Sequence, residues 1–191
     1  MASLKGTRTE KNLLTAFAGE SQARNRYSYA ASVAKKEGYE QIAAIFLETA
    51  DNEKQHAKRF FRFLEGGVVE ITAAYPAGLL STTADCLKAA AEGELEEHSK
   101  IYPEFARIAK EEGFPQVAAQ FNTVSKAEAH HEQRYRMLLD NVTKSTSFKK
   151  AQTVKWVCRE CGYVHEGPEA PKTCPCCEHP QAFFQVLADA Y

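Results

Sequence analysis

The sequence predicts a mainly α fold: a four-helix bundle with a long crossover, followed by a small β/loop domain built on metal knuckles. Three observations predict it. Glu53/His56 and Glu128/His131 form two Glu-x-x-His pairs on the apolar stripes of two helical patterns. Those patterns repeat each other at an offset of about seventy-five residues, which marks an internal duplication. Cys158-x2-Cys161 and Cys174-x2-Cys177 then form a pair of cysteine knuckles near the end of the chain.

Each element follows from its own pattern. Thr7 and Glu10 form a capping box that opens the first helix, where Leu13, Phe17, Glu20, Arg24 and Tyr27 share a stripe at steps of four and three. Lys35-Lys36-Glu37-Gly38-Tyr39 ends this helix and turns the chain at its glycine. In the second helix Ile42, Phe46, Thr49, Glu53, His56, Phe60 and Phe63 recur with the same alternation. Glu65 to Thr82 carries Gly66-Gly67, Pro76 and Gly78, which break any helix; it is too long for a tight turn and suits a crossover along the bundle. Thr83 is expected to cap the third helix, with Leu87, Ala91, Glu94, Ile101, Phe105 and Ile108 on one face and Glu97 beside Glu94. Lys110-Glu111-Glu112-Gly113-Phe114 repeats the first turn, and Val117, Phe121, Val124, Glu128, His131, Tyr135 and Leu138 form the last stripe. The bundle is thus expected over residues 1–145, with its helices running from Thr7 to Asn141.

Taking a carboxylate out of water costs several kcal/mol or more unless it is paired or binds a cation. A single buried Glu-x-x-His reads most simply as a satisfied core histidine; two matching pairs call for a shared cause, and a metal supplies one. Glu20 lies roughly 27 Å before Gly38 and Glu53 roughly 22 Å after it, at about 1.5 Å per residue, so the two meet at one level. The second hairpin repeats this geometry. One layer therefore gathers Glu20, Glu53, His56, Glu94, Glu97, Glu128 and His131, enough for two metals. A glutamate from each of two helices and a Glu-x-x-His from each of the others is the ligand set of ferritin-like dimetal bundles. Oxygen-rich ligands with two imidazoles favour iron or manganese and leave zinc open. Five carboxylates nearly neutralise two divalent ions, so the layer without metal repels itself.

The repeat has two faults. Glu20 and Glu94 align at an offset one shorter than the rest, implying an extra residue between Glu94 and Tyr102, which a helix absorbs as a π-bulge. Glu97 has only Ala23 as its counterpart. This unmatched carboxylate is expected to ligate in only some redox states.

After Asn141 the composition turns polar, and residues 146–153 read as a linker before a second domain at 154–191. Four thiolates hold a segment too short to build a core of its own. Disulfides are the competing use of these cysteines, and a reducing cytoplasm disfavours them. Cys176, next to Cys177, leaves one position of the tetrahedron ambiguous, and the paired spacing favours Cys174 and Cys177. Cys86 reads as a small core residue. Spacing alone does not separate iron from a zinc ribbon. Cys158-Arg-Glu-Cys161-Gly162-Tyr163 and Cys174-Pro175-Cys176-Cys177 resemble the knuckles of rubredoxin, with Trp156, Tyr163, Phe183 and Phe184 as an aromatic shell.

Bundle and knuckles together resemble the rubrerythrin family, over nearly the whole chain. The resemblance implies a ferritin-like bundle with two irons and a rubredoxin-like domain with a third. It implies that Glu53 and Glu128 bridge, that Glu20 serves one iron, and that Glu94 and His131 serve the other. The first iron would exchange Glu97 for His56 on reduction, and Tyr27 and Tyr102 would hydrogen-bond the cluster carboxylates. The implied reaction is reduction of hydrogen peroxide to water, with electrons relayed through the four-thiolate iron from a redox protein or an NAD(P)H-linked reductase. A head-to-tail homodimer and a role against oxidative stress are implied as well.

Other functions compete. A ferroxidase or iron-storage protein and a manganese catalase share the bundle but have little use for a thiolate iron. A zinc ribbon that binds a partner is the non-enzymatic reading. A net charge of −1 and no basic stripe argue against nucleic acid, no apolar run is long enough to cross a bilayer, and the thiolates suit a reducing cytoplasm. His98 lacks a counterpart and reads as a surface or supporting residue; His130 points out of the stripe. Glu92, Glu96, Glu111 and Glu112 read as solvated, and His165 and His179 flank the knuckles without being needed as ligands. No Walker loop, dinucleotide fingerprint or Ser/His/Asp set is present.

Overall fold

Thr7 opens helix α1 (Arg8–Lys36) by accepting the Glu10 N–H on its Oγ1 at 3.0 Å, while Glu10 Oε2 accepts from Gly6 N at 2.8 Å. The structure is a computed structural model that describes residues 3–78 and 80–188. Positions 1–2 and 189–191, at the outer ends of the two expected domains, and position 79 in the crossover lie outside the described residues. Helix α1 pairs with α2 (Glu40–Phe61) in the first hairpin. The second hairpin comprises α3 (Thr83–Glu96), a π-helical turn (Glu97–Ile101), α4 (Tyr102–Glu111) and α5 (Pro115–Thr143). Gly38 and Gly113 stand at φ 82° and 85°, where a side chain is strained. Tyr39 N and Phe114 N donate back across them to Ala34 O and Ala109 O, so both turns close alike.

The cap of α3 differs from expectation. Thr82, not Thr83, is the N-cap and accepts from Asp85 N. Thr83 is fully buried, and its own N–H donates to Glu37 Oε2 at 3.0 Å. Glu112, expected to be solvated, does the same service for α1: it accepts from Arg8 and Thr9 N–H and from the Thr9 hydroxyl. Glu37 and Glu112 are counterparts in the repeat, so each hairpin turn caps the other hairpin's first helix.

The extra residue between Glu94 and Tyr102 is absorbed in the π-helical turn, where Tyr102 N donates to Glu97 O. Pro103 has no N–H to offer the His98 carbonyl, and Ser125 Oγ on α5 donates to it at 3.0 Å instead. The crossover lies along α1, with Tyr75 donating to Thr15 O at 2.8 Å. Two apolar clusters fill the bundle. One holds Ala34, Ile42, Phe46, Leu87 and Tyr135 at the end with the Gly38 turn; the other holds Leu13, Phe60, Tyr102 and Phe121 at the opposite end, with the Gly113 turn. The polar layer lies between them.

The C-terminal domain is an antiparallel sheet of β1 (Lys149–Cys158), β2 (Val164–Glu169) and β3 (Phe184–Val186), with β1 in the centre. Strand β1 starts inside the stretch expected to be a linker. Lys149 pairs with Glu169 across an irregularity in the ladder, and Phe148 stacks on Tyr39 of the bundle at 5.9 Å. The polar composition concealed one apolar anchor. Trp156, Phe184 and Ala170 form a small core around Cys158 and Cys174.

Candidate metal centre

Two sets of donors meet in the polar layer, each with its ligand atoms within 4.8 Å of one another. Glu20, Glu53, His56 and Glu128 form one; Glu53, Glu94, Glu128 and His131 form the other. Glu53 and Glu128 belong to both, which makes them the carboxylates able to bridge. Helical spacing accounts for each pair, since residues three apart share a face. His56 Nδ1 lies 2.8 Å from Glu53 and 2.9 Å from Glu128. His131 Nδ1 lies 2.8 Å from Glu128, 3.2 Å from Glu53 and 3.7 Å from Glu94. All four of these glutamates are at most 1% exposed.

The layer is unsatisfied as protein alone. Glu20 Oε2, Glu53 Oε1, Glu94 Oε2, both Glu128 oxygens and His131 Nδ1 are buried without a hydrogen-bond partner. Six such atoms converging on one place fit cations and nothing else in the chain. Protonation shows the same strain. Burial pushes Glu20 well above the usual carboxylate range, and the charges of Glu128 and Glu53 add to it. Burial likewise raises Glu94 to about 8 against the pull of His131. For His131 burial alone acts downward, but the close carboxylates of Glu128, Glu53 and Glu94 push it up to about 12. His56 rises to about 10 by the same balance against Glu128 and Glu53. Five carboxylates with two imidazoles suit two irons.

Tyr27 and Tyr102 close the layer from two sides. Tyr27 donates to Glu94 Oε1 at 2.6 Å and Tyr102 donates to Glu20 Oε1. Burial raises both phenols well above their ordinary value, with Glu94 and Glu20 adding to it, so each remains a donor. Glu97 is in neither donor set, although it lies close enough for Glu94, Glu128 and Glu53 to add to the effect of burial in raising its pKa. His98 bonds Glu132 at 2.7 Å and His130 is exposed. The sequence reading missed Glu132, and it missed Arg26, whose Nε is buried without a partner beside Tyr27. Neither falls on a stripe; only the unmatched His98 and Glu97 hinted at them.

In the small domain the sulfurs of Cys158, Cys161, Cys174 and Cys177 lie within 4.8 Å of one another. Cys176 is exposed and outside the group. Gly162, at φ 77°, lets its N–H return to Cys158 O and close the first knuckle. Cys161 is exposed, so one side of this site faces solvent. His179 Nδ1 lies 3.2 Å from Cys177 O, and the His165 ring lies over Gly167; neither joins the thiolates. Four thiolates in this arrangement fit one iron.

Comparison with known proteins matches both domains. The rubrerythrin family model matches residues 11–139, and the model of the rubredoxin-like domain of rubrerythrin matches 156–185. Rubrerythrin from Porphyromonas gingivalis is 57% identical over 99% of this chain and 94% of its own length. Rubrerythrin from Nitratidesulfovibrio vulgaris is 55% identical over 98% of both. Among solved structures, partially reduced nigerythrin is 31% identical with a TM-score of 0.64, covering 97% of this chain and 88% of its own. Dithionite-reduced symerythrin from Cyanophora paradoxa has a TM-score of 0.64 at 22% identity, covering 75% of this chain and 89% of its own, and shares the fold. With matching models over both halves and likeness along the full length, this chain belongs to the rubrerythrin family.

Proposed function

We propose that this protein is a non-haem peroxidase that reduces hydrogen peroxide to water and so protects against oxidative stress. The observation that supports the reading is two donor sets sharing Glu53 and Glu128 in one buried layer, with a cluster of four cysteines on the same chain. Glu20, Glu53, His56, Glu94, Glu128 and His131 would hold a pair of irons able to supply the two electrons that one peroxide consumes, and the four cysteines would hold one able to return them singly. A ferroxidase or a catalase would leave the second site without a task.

The chain's own residues set the conditions. Glu20, Glu53, Glu94, Glu128 and His131 are the fixed ligands, and Glu97 and His56 trade places as the charge of the layer changes. The arrangement here has His56 among the donors and Glu97 outside them. Tyr27 and Tyr102 orient Glu94 and Glu20 through their hydroxyl groups and act with Glu97 and His56 in the reaction. The apolar clusters above and below exclude bulk water from the layer.

Electrons enter from a redox protein or an NAD(P)H-linked reductase at the exposed side of the knuckles. Within one chain the small domain meets the bundle at Tyr39, and Glu53 lies fourteen residues further along α2, about 21 Å at 1.5 Å per residue. A head-to-tail homodimer brings the partner's thiolate site closer, which is the assembly we assign. Stopped-flow oxidation of the reduced protein by peroxide and by dioxygen tests the reaction. Peroxide is expected to react faster by a factor of ten or more; equal or faster reaction with dioxygen rejects a peroxidase.

A further inference from the structure

The exchange of Glu97 for His56, on which this inference rests, leaves a carboxylate without a metal. Glu20, Glu53, Glu94 and Glu128 already balance two divalent ions, so a fifth negative charge needs a cation of its own. The duplication indicates where it is. Tyr27 corresponds to Tyr102, so Arg26 corresponds to Ile101, while Glu97 corresponds to Ala23. One side of the bundle therefore carries a carboxylate and a guanidinium where the other carries a methyl group and a branched hydrocarbon. The two departures from symmetry have opposite charge.

Their placement matches. Arg26 borders a cavity of about 650 Å³ between α1, α3 and the crossover, together with Tyr27, Gly93 and Glu96. Its Nε is buried without a hydrogen-bond partner, a costly state for a guanidinium unless a carboxylate visits it. Glu97 stands one turn from Gly93, at the start of the π-helical turn. Glu97 lies near enough to Arg26 for the two charges to act on each other. Glu92 and Glu96, the carboxylates that line the cavity, are both exposed, whereas Glu97 is half-buried.

We propose that Arg26 is a positioning residue that receives the Glu97 carboxylate when His56 takes its place on the metal, and that it thereby favours the reduced form.

The test is a double-mutant cycle on the midpoint potential of the diiron centre in the loaded protein, using Arg26→Gln, Glu97→Gln and the pair, with crystal structures of reduced wild type and Arg26→Gln. Arg26→Gln is expected to shift the ferrous/ferric equilibrium tenfold or more toward ferric, about 59 mV for one electron. It is also expected to leave Glu97 on the metal after reduction. In the Glu97→Gln background the same change should move the potential by less than a third as much. Arg26→Lys, which keeps the charge without the planar fork, should restore part of the shift. An unchanged potential, or an equal shift in both backgrounds, overturns the assignment, because a general charge effect needs no Glu97. Ligand exchange that proceeds in Arg26→Gln as in wild type removes the role of Arg26 alone. Identical ligands in oxidised and reduced wild type remove the exchange as well. If Arg26→Gln does not fold, Arg26→Lys in the two backgrounds gives the same comparison.

Discussion

Tyr27 and Tyr102 hold equivalent places in the two hairpins, and each donates its hydroxyl to a carboxylate that serves only one donor set. A carboxylate with one oxygen tied has the other aimed at the metal, which is how an outer hydrogen bond tunes an inner ligand. Tyr102→Phe keeps the packing of Phe60 and Phe121 but frees Glu20. Iron titration of this variant should show affinity at the Glu20 side lowered about 10- to 100-fold, with the fold intact. Unchanged affinity would remove the orienting role. The six residues of the two donor sets were legible in the sequence because each interrupts an apolar stripe, and Glu97, outside both sets, because it stands one turn from Glu94. Arg26 was not, because an arginine off the stripe is indistinguishable from a solvated one until its surroundings are known. Glu112 was misread for the same reason: its role depends on a helix start more than a hundred residues away.

At the scale of elements, the reciprocal caps tie the hairpins together. For Glu112, burial acts upward, but the hydrogen bonds from Thr9 and Arg8 outweigh it and hold the carboxyl down to about 2. A depressed folded-state pKa stabilises the fold above the unfolded value of 4.5, and the gain is lost as pH falls toward 2. Glu112→Gln should therefore cost about 1 kcal/mol at neutral pH, and its deficit relative to wild type should shrink between pH 4.5 and 2. Urea melts across that range check it; a constant deficit would mean that the carboxylate charge is irrelevant. The π-helical turn permits a second test. Deleting Lys100, an exposed residue of that turn, should restore regular α-helix and rotate either Glu94 or Tyr102 off the layer by about 100°. Helical circular dichroism should persist while the bundle binds fewer than two irons. Helix periods and turn glycines made the hairpins and the need for a bulge readable. The cap of α3 slipped by one residue because Thr82 and Thr83 both fit it, and burial decided between them. The start of β1 escaped because Lys149-Lys150-Ala151-Gln152-Thr153 carries no apolar alternation, and Phe148 just before it is the one apolar anchor.

The whole molecule joins two redox sites of different kind. One is buried between two apolar clusters; the other is partly open to solvent. Among the described residues no helix is long and apolar enough to cross a membrane. Four-thiolate iron is coloured when ferric and pale when ferrous, so the chain carries its own reporter of electron flow. The most direct test is to mix fully reduced protein with less than one equivalent of peroxide and follow that colour in wild type and in Glu128→Ala, which lacks a carboxylate common to both donor sets. If the thiolate iron discharges through the bundle, the colour appears at least tenfold faster in wild type than in the variant. Equal rates in the two proteins would show that the thiolate iron meets the oxidant by itself, and would contradict the account.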